Sequence, residues 1–231
     1  MPKVKLPESV MTIEMVVTKV DANGDIHYQF SYSDADVVGD TTVPPNVIEA
    51  MRSQIRKIVG INGSCIVDNR GQTKAYNLVL PERLDQNTKQ RLEQMSNSLN
   101  QLYSPVPQQA VGIGAKWRLS SSPNLGGINL TQVTTYQLIS LQNNVATLDA
   151  ITEQHAGPQN LTRPGLPTGS TLTLKSLDSQ GQGQITMGLN RLLPIRSNVS
   201  MHSNTEVNTR HAGQVATIGT KLFMELALQS K

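Results

Sequence analysis

The chain has 231 residues, of which 37% are hydrophobic, 16% are charged and 3% are aromatic, and its formal net charge is +3. Globular chains usually carry about 25% charged residues and a larger apolar fraction, so this chain is polar without being charged. Its low net charge excludes the simplest kind of intrinsic disorder. No run of about 18 apolar residues occurs, which excludes a transmembrane helix. The length fits one large domain or two small ones.

The first predicted element is a β-hairpin near the N-terminus. Apolar and polar residues alternate over 11–17 and again over 26–32, which is the period of a half-buried strand. Asn23-Gly24 lies between the two runs, and this dipeptide is the strongest short hairpin signal. The sequence therefore predicts two antiparallel strands joined by a tight turn.

Two helices are predicted in the first half of the chain. Pro44-Pro45-Asn46 opens the first, whose apolar residues recur at helical spacing until Gly60 ends it. The second covers about 85–102, with Asp85 as its N-cap and a narrow apolar stripe. Two short strands are predicted between the helices, over 64–67 and 73–80.

From Gly112 onward, the sequence predicts only strands and loops. A second hairpin turns at Asn143-Asn144 between two alternating runs. A loop rich in Pro and Gly follows it, and alternating segments continue to the C-terminus. The predicted segments are strands over 132–141 and 145–153, a loop over 157–170, and strands around 172–174, 185–189, 199–207 and 222–228.

Two short signatures occur twice in the same order, which suggests an internal duplication. Residues 68–72 and 178–182 both read Asp-x-x-Gly-Gln, and residues 113–116 and 218–221 both read Ile-Gly-x-Lys. Asp at the start of a tight turn accepts a backbone hydrogen bond, and Gly in the fourth place supplies a positive φ. Both Asp-x-x-Gly-Gln segments are therefore predicted to be hairpin turns. Chance is the competing explanation, because each match is only three or four letters long.

These elements predict an α+β fold that is dominated by β-strands. It consists of two related antiparallel β units, with two helices in the first half. The first unit covers 1–120 and carries both helices, and the second covers 121–231 and is nearly all β. The two units form either one continuous sheet and domain or two packed half-barrels.

No arrangement typical of an enzyme, a metal site or a cofactor site is recognised. The four histidines do not pair at metal-ligand spacing, and no nucleophile elbow or phosphate loop occurs. The acidic segment 34–40 resembles a calcium loop only weakly, because Val38 and Pro45 occupy two ligand places. Cys65 is the single cysteine, which excludes an intrachain disulfide. We therefore expect no catalysis, no cofactor and no metal, and an enzyme with an unrecognised site is the least favoured hypothesis.

Nucleic acid is not an expected partner, because Lys and Arg are scattered and are not interleaved with aromatic residues. The candidate contacts for an apolar ligand or a partner protein are aromatic. Tyr28, Phe30 and Tyr32 share one face of a predicted strand, and Trp117 is the single tryptophan. Each of the four also fits a buried core position.

The N-terminus has no apolar segment of the kind that a signal peptide needs, and a predicted strand begins almost at once. This start suggests that an export signal or a lipid anchor lies upstream in the natural protein. Such an anchor would bring the protein to a membrane surface. Asn and Gln together fill 36 positions, and this uncharged polar composition fits an envelope or secreted protein better than a cytosolic enzyme.

One combination of short motifs resembles a known kind of protein. Ser-Pro-x-Pro is followed by Val-Gly-x-Gly-x-x-Trp between Ser104 and Trp117, and a strand containing Tyr136 comes next. The combination resembles an uncharacterised, cyanobacterial-type family of bacterial cell-envelope proteins, and the resemblance extends over most of the chain. Members carry an export signal, so the resemblance implies a periplasmic or extracellular location. It implies no activity.

We therefore expect a non-catalytic cell-envelope or secreted protein with a binding or structural role. The alternative is a periplasmic carrier of lipid or another apolar ligand, by analogy with lipoprotein carriers that fold a curved sheet around helices. Methionines on predicted strand faces suit an adaptable apolar pocket, although core packing explains them equally well. Open sheet edges would also allow a homodimer. The methionines concerned are Met11, Met15, Met187, Met201 and Met224.

Overall fold

The structure is a computed structural model, and it divides the chain into two compact units, Met1–Val106 and Pro107–Lys231. Each unit contains an antiparallel sheet, so the prediction of a β-dominated, antiparallel fold is confirmed. The residues that the structure describes are 5–39, 43–82, 84, 89, 106–107, 109–125, 127–161, 169–211 and 214–231.

The first unit contains a four-stranded antiparallel sheet in which sequence neighbours pair, in the order β1-β2-β3-β4. The predicted hairpin joins β1 to β2, and Gly24 in its turn has a φ of +87°. The turn between β3 and β4 also matches its prediction, because the Asp68 carboxylate accepts hydrogen bonds from the backbone N–H groups of Arg70 and Gln72, each at 2.9 Å. The strands are β1 (Ser9–Val20), β2 (Ile26–Val37), β3 (Asn62–Val67) and β4 (Thr73–Val79).

One helix connects β2 to β3. The α-helix α1 (Pro45–Ile55) continues into a single 3-10 turn (Arg56–Ile58), and this confirms the first predicted helix. Arg52 ties α1 to the end of β2, because its Nε lies 2.5 Å from Oδ1 of Asp36 and its guanidinium also donates to the carbonyl of Val37. The second predicted helix, over about 85–102, lies almost wholly outside the described residues.

The second unit contains a seven-stranded antiparallel sheet. Six strands follow the order β13-β12-β11-β9-β8-β5, and β10 pairs with β11 beside β9. The short strands β6 and β7 form a separate pair. The strands are β5 (Lys116–Ser121), β6 (Asn124–Leu125), β7 (Ile128–Asn129), β8 (Thr131–Gln142), β9 (Val145–Ala156), β10 (Gln159–Leu161), β11 (Thr171–Gly188), β12 (Pro194–His211) and β13 (Gln214–Gln229).

The second predicted hairpin joins β8 to β9. Asn143 and Asn144 form its turn with φ values of 50° and 60°, the left-handed conformation that a two-residue type I′ turn requires. The predicted boundary at residue 120 falls inside β5, which pairs with β8. That pairing is why the second unit begins near residue 107.

The structure does not confirm the internal duplication. Residues 68–72 form a hairpin turn, but residues 178–182 lie in the middle of β11 and pair with strands on both sides. The prediction of a hairpin turn at Asp178 and Gly181 is therefore wrong. Similarly, Gly114 lies in a turn with a φ of +87°, whereas its counterpart Gly219 lies within β13.

Gly63 of β3 fills a position that no larger residue fits. A Cβ added there would lie 2.6 Å from Cζ of Phe30 and would collide with the carbonyl oxygen of Asn77. Phe30 is the direct cross-strand neighbour of Gly63, so its ring takes up the space that the glycine leaves free.

We predict that Gly63→Ala destabilises the first unit by about 1–3 kcal/mol, because the added methyl group must displace both a backbone oxygen and a buried ring. The matched control is Gly39→Ala, since no atom lies within 4 Å of a Cβ at Gly39. Urea unfolding of both variants measures the difference. Equal unfolding midpoints would contradict this packing.

Candidate functional site

Three of the four predicted contact residues lie in the core of the first unit. Tyr28, Phe30 and Tyr32 on β2 are only 5%, 7% and 3% exposed. The ring of Phe30 stacks on that of Tyr76 at a centroid distance of 6.0 Å and meets Tyr32 edge-on at 6.4 Å. This aromatic stripe is therefore positioned to hold the sheet together and offers little surface to a ligand.

The fourth predicted residue, Trp117, lies on β5 in the second unit. Its ring stacks on that of Tyr136, its direct neighbour on β8, at 5.7 Å. It packs against a buried cluster that includes Leu138, Leu148 and Ile185. Its Nε1 is buried without a hydrogen-bond partner among the described residues. Trp117 thus belongs to a different unit from the aromatic stripe of β2, and it borders the core.

A groove of about 410 Å³ crosses the first sheet. Apart from Phe30 and Gly63, the lining residues lie on the face opposite the aromatic stripe, because they alternate with Tyr28, Phe30 and Tyr32 along β2 and with their neighbours on the other strands. Amide and hydroxyl side chains lie beside Val16 and Val79, so the lining is about as apolar as it is polar. The lining residues are Glu14, Val16, Gln29, Phe30, Ser31, Asn62, Gly63, Ser64, Asn77 and Val79.

An exposed apolar surface of the second unit lies on its last two strands. Met201 pairs with Met224, and Val199 with Leu226, in the β12–β13 ladder. Residues directly opposite or two apart share a face of the sheet, so these side chains form one continuous surface. We call this surface the open apolar face; its members are Val199, Met201, Ile218, Leu222, Met224 and Leu226.

The open apolar face is exposed because the core of the second unit does not extend over it. The buried apolar clusters lie on β8, β9, β11 and the segment before β8. On β13, by contrast, Ile218, Leu222, Met224 and Leu226 are 52%, 50%, 50% and 46% exposed. The sheet is therefore wider than the described elements that cover it.

A row of polar pairs separates the two buried clusters. Gln154 donates to Gln132 at 2.7 Å, and Ser179 donates to Ser203 at 2.9 Å. These residues are cross-strand neighbours on the face that the clusters share. Their hydrogen bonds satisfy buried polar atoms and penalise any slip of register.

Two glycines shape the sheet beside the open apolar face. A Cβ at Gly183 would lie 2.8 Å from Cγ2 of Val199 and would collide with the carbonyl oxygen of Asn198. At Gly181, the nearest side-chain atom is Cε of Met201, at 3.3 Å. The side chains of β12 therefore lie over the bare backbone of β11. Glycines of this kind allow a sheet to bend.

Charged groups form pairs and small networks, such as Asp36 and Glu49 around Arg52. Asp36, one member of the acidic segment 34–40, is engaged by Arg52, and this hydrogen bond lowers the pKa of the carboxyl. On β9 and β11, Nδ1 of His155 lies 2.7 Å from Oδ1 of Asp178, and both side chains are exposed. Asp40 lies outside the described residues. Within the described ranges, no group of three or more His, Cys, Asp or Glu side chains could hold a metal ion.

The sequence patterns predicted part of this surface. The alternation of Leu222, Met224 and Leu226 was recognised as a strand. The alternation did not indicate that this strand, β13, is the outermost strand of the sheet. A signal for its edge position exists in the sequence, because apolar residues such as Val215 and Phe223 also occupy the other face of β13.

No protein-family model, no curated protein and no solved structure matches the chain. In the part of the chain that the structure describes, no helix combines the length and the hydropathy that a membrane span requires.

Burial raises the pKa of Tyr32 to about 12, whereas a tyrosine in an unfolded chain ionises near pH 10. The folded state therefore keeps the Tyr32 proton between about pH 10 and about pH 12, where the unfolded state loses it. The stabilisation that the neutral, buried Tyr32 hydroxyl contributes is fully present below about pH 10 and is lost as the pH rises to about 12.

We predict that Tyr32→Phe reduces the loss of stability between these pH values, as measured by urea unfolding midpoints at neutral and alkaline pH. An alkaline profile identical to that of the wild type would place Tyr32 at the surface.

Proposed function

We propose that the protein is a non-catalytic binding or structural protein of the cell envelope or the extracellular space, and that it binds through the open apolar face. The observation that carries this proposal is the half-exposed row of Ile218, Leu222, Met224 and Leu226 on one strand face. Contiguous exposed apolar surface on a soluble domain usually marks a site of interaction.

The proposed location rests on the composition and on the resemblance to bacterial envelope proteins. An uncharged polar surface rich in Asn and Gln tolerates an extracellular environment. A single buried cysteine, Cys65, leaves no thiol at the surface of the described residues.

A second candidate function is a carrier of lipid or another apolar ligand. The paired methionines Met201 and Met224 favour it, because flexible thioether side chains adapt to irregular apolar ligands. Met201 lies beside Gly181 on β11, and its side chain occupies the space above that glycine. The groove of the first sheet is lined by both polar and apolar side chains, so it does not distinguish a carrier from a binding protein.

We predict that the double substitution of Leu222→Ser and Met224→Ser weakens the binding of N-phenyl-1-naphthylamine, a fluorescent apolar probe, by roughly tenfold. Two half-exposed side chains then lose the apolar contact area that the probe would cover. Ile151→Ser is the matched control, because Ile151 is 57% exposed and lies on the opposite face of the same sheet.

Equal probe binding by the wild type, the double variant and the control would contradict the proposed surface. Native mass spectrometry after incubation with a lipid extract separates the two candidate functions. A lipid adduct that the double variant loses favours the carrier, and probe binding without any lipid adduct favours the binding or structural role.

A further inference from the structure

We infer that β13 pairs with β13 of a second copy of the chain. The two strands would run antiparallel about a two-fold axis at Phe223 and would join two seven-stranded sheets into one. The pairing uses the outer edge of β13 and leaves the open apolar face uncovered, so it goes beyond the proposed function. That outer edge has no strand partner among the described residues.

β13 is longer and more regular than the edge strands β1, β4 and β5. Its 16 residues pair with β12 without any register shift. Edge β1, by contrast, is interrupted by two register shifts. Edge β5 has only six residues, and edge β4 has seven. Bulges and short length protect an edge from pairing, so β13 is the least protected of these four edges.

The charges of β13 are self-complementary. Lys221 and Glu225 are its only charged residues, and they lie two places on either side of Phe223 on the same face. When two copies pair antiparallel about Phe223, Lys221 lies opposite the partner's Glu225, and the two-fold axis repeats the pair. Any other register puts Lys221 opposite an uncharged residue or its own copy. Opposite charges directly across a ladder stabilise it, and like charges destabilise it.

The same register also matches the apolar residues. Leu222 lies opposite the partner's Met224, and Ile218 lies opposite the partner's Leu228. Both copies then present the open apolar face on the same side of the joined sheet. Thr217 lies opposite the partner's Gln229, so almost the whole strand takes part, over a length of roughly 40 Å at about 3.4 Å per residue. A two-fold contact of this kind uses the same patch on both copies.

A cysteine substitution tests the register directly. Opposite Cα atoms in an antiparallel pair are about 4.5–5.5 Å apart, within the range that a disulfide spans. We predict that Phe223→Cys forms a covalent dimer under mild oxidation. Val215→Cys is the matched control, because it lies on the same face of β13 but its two copies would be roughly 50 Å apart. The native Cys65 is buried and is present in both variants.

Charge reversal tests the same pairing without a covalent bond. We predict that Lys221→Glu raises the dissociation constant of the dimer about tenfold, because two attractive pairs become repulsive. Adding Glu225→Lys restores the opposite charges and should return the dissociation constant to the wild-type value. Sedimentation velocity over a concentration series measures all three proteins, and both substituted side chains are exposed, so folding is not at risk.

A covalent dimer from Phe223→Cys alone, together with rescue by the double charge reversal, supports the inference. A wild-type protein that stays monomeric, equal cross-linking of both cysteine variants, or charge variants that associate like the wild type would overturn it. A wild-type monomer that still binds the apolar probe overturns the pairing of β13 and leaves the proposed function standing. A wild-type dimer that binds no probe supports the pairing and contradicts the proposed function.

Discussion

The ladder between β12 and β13 is the constraint on which the exposed surface of the second unit depends. It joins 16 residue pairs, from Arg196 with Gln229 to His211 with Gln214, without an irregularity. Such a regular ladder fixes the face of every side chain, so Leu222, Met224 and Leu226 cannot turn inward one by one. Because the described core ends near β11, these residues stay exposed. A long strand edge and an apolar face therefore occur together at one end of the sheet.

The sheets of the two units are covered by side chains in different ways. In the first unit, the aromatic stripe of β2 is buried, and the ring of Phe30 fills the space over Gly63. The face opposite the stripe carries amides and hydroxyls beside Val16 and Val79, and it forms the groove. In the second unit, glycines again meet larger side chains, but Gly181 and Gly183 lie next to Met201 and Val199, which are only partly covered. Apolar side chains therefore remain partly uncovered along the last two strands, as Val16 on β1 and Ile151 on β9 do elsewhere.

Local patterns predicted the local elements well. Asn23-Gly24 and Asn143-Asn144 both lie in hairpin turns. Asn143 and Asn144 form a two-residue turn with positive φ values, and Gly24 supplies a positive φ in the longer connection between Val20 and Ile26. The first helix ends at Ile55, and the 3-10 turn that continues it ends at Ile58, two residues before Gly60, whose φ is +86°. The Asp-x-x-Gly-Gln signature failed at 178–182, because the alternation on both sides of it continues the strand, and its glycine there makes room for Met201 instead of turning the chain.

The candidate site was predictable only in part, because strand order is a property of the whole sheet. The alternation over 222–228 indicates a strand whether that strand is central or at an edge. Tyr28, Phe30 and Tyr32 were predicted as candidate contacts because they are aromatic. They are buried on β2 and belong to the core. The better signal was an apolar residue on both faces of one strand, as at Phe223 and Met224, combined with very few charges.

Amide hydrogen exchange of β13 tests most directly whether its edge is paired in solution. At micromolar protein concentration, an unpaired edge leaves every second amide of the strand open to water, whereas a paired edge protects them all. The structure and the self-complementary charges predict that the amides of 217–229 exchange as slowly as those of the central strand β9 at high concentration, and faster on dilution. Exchange as rapid as that of the edge strand β5 at every concentration would contradict the pairing of β13.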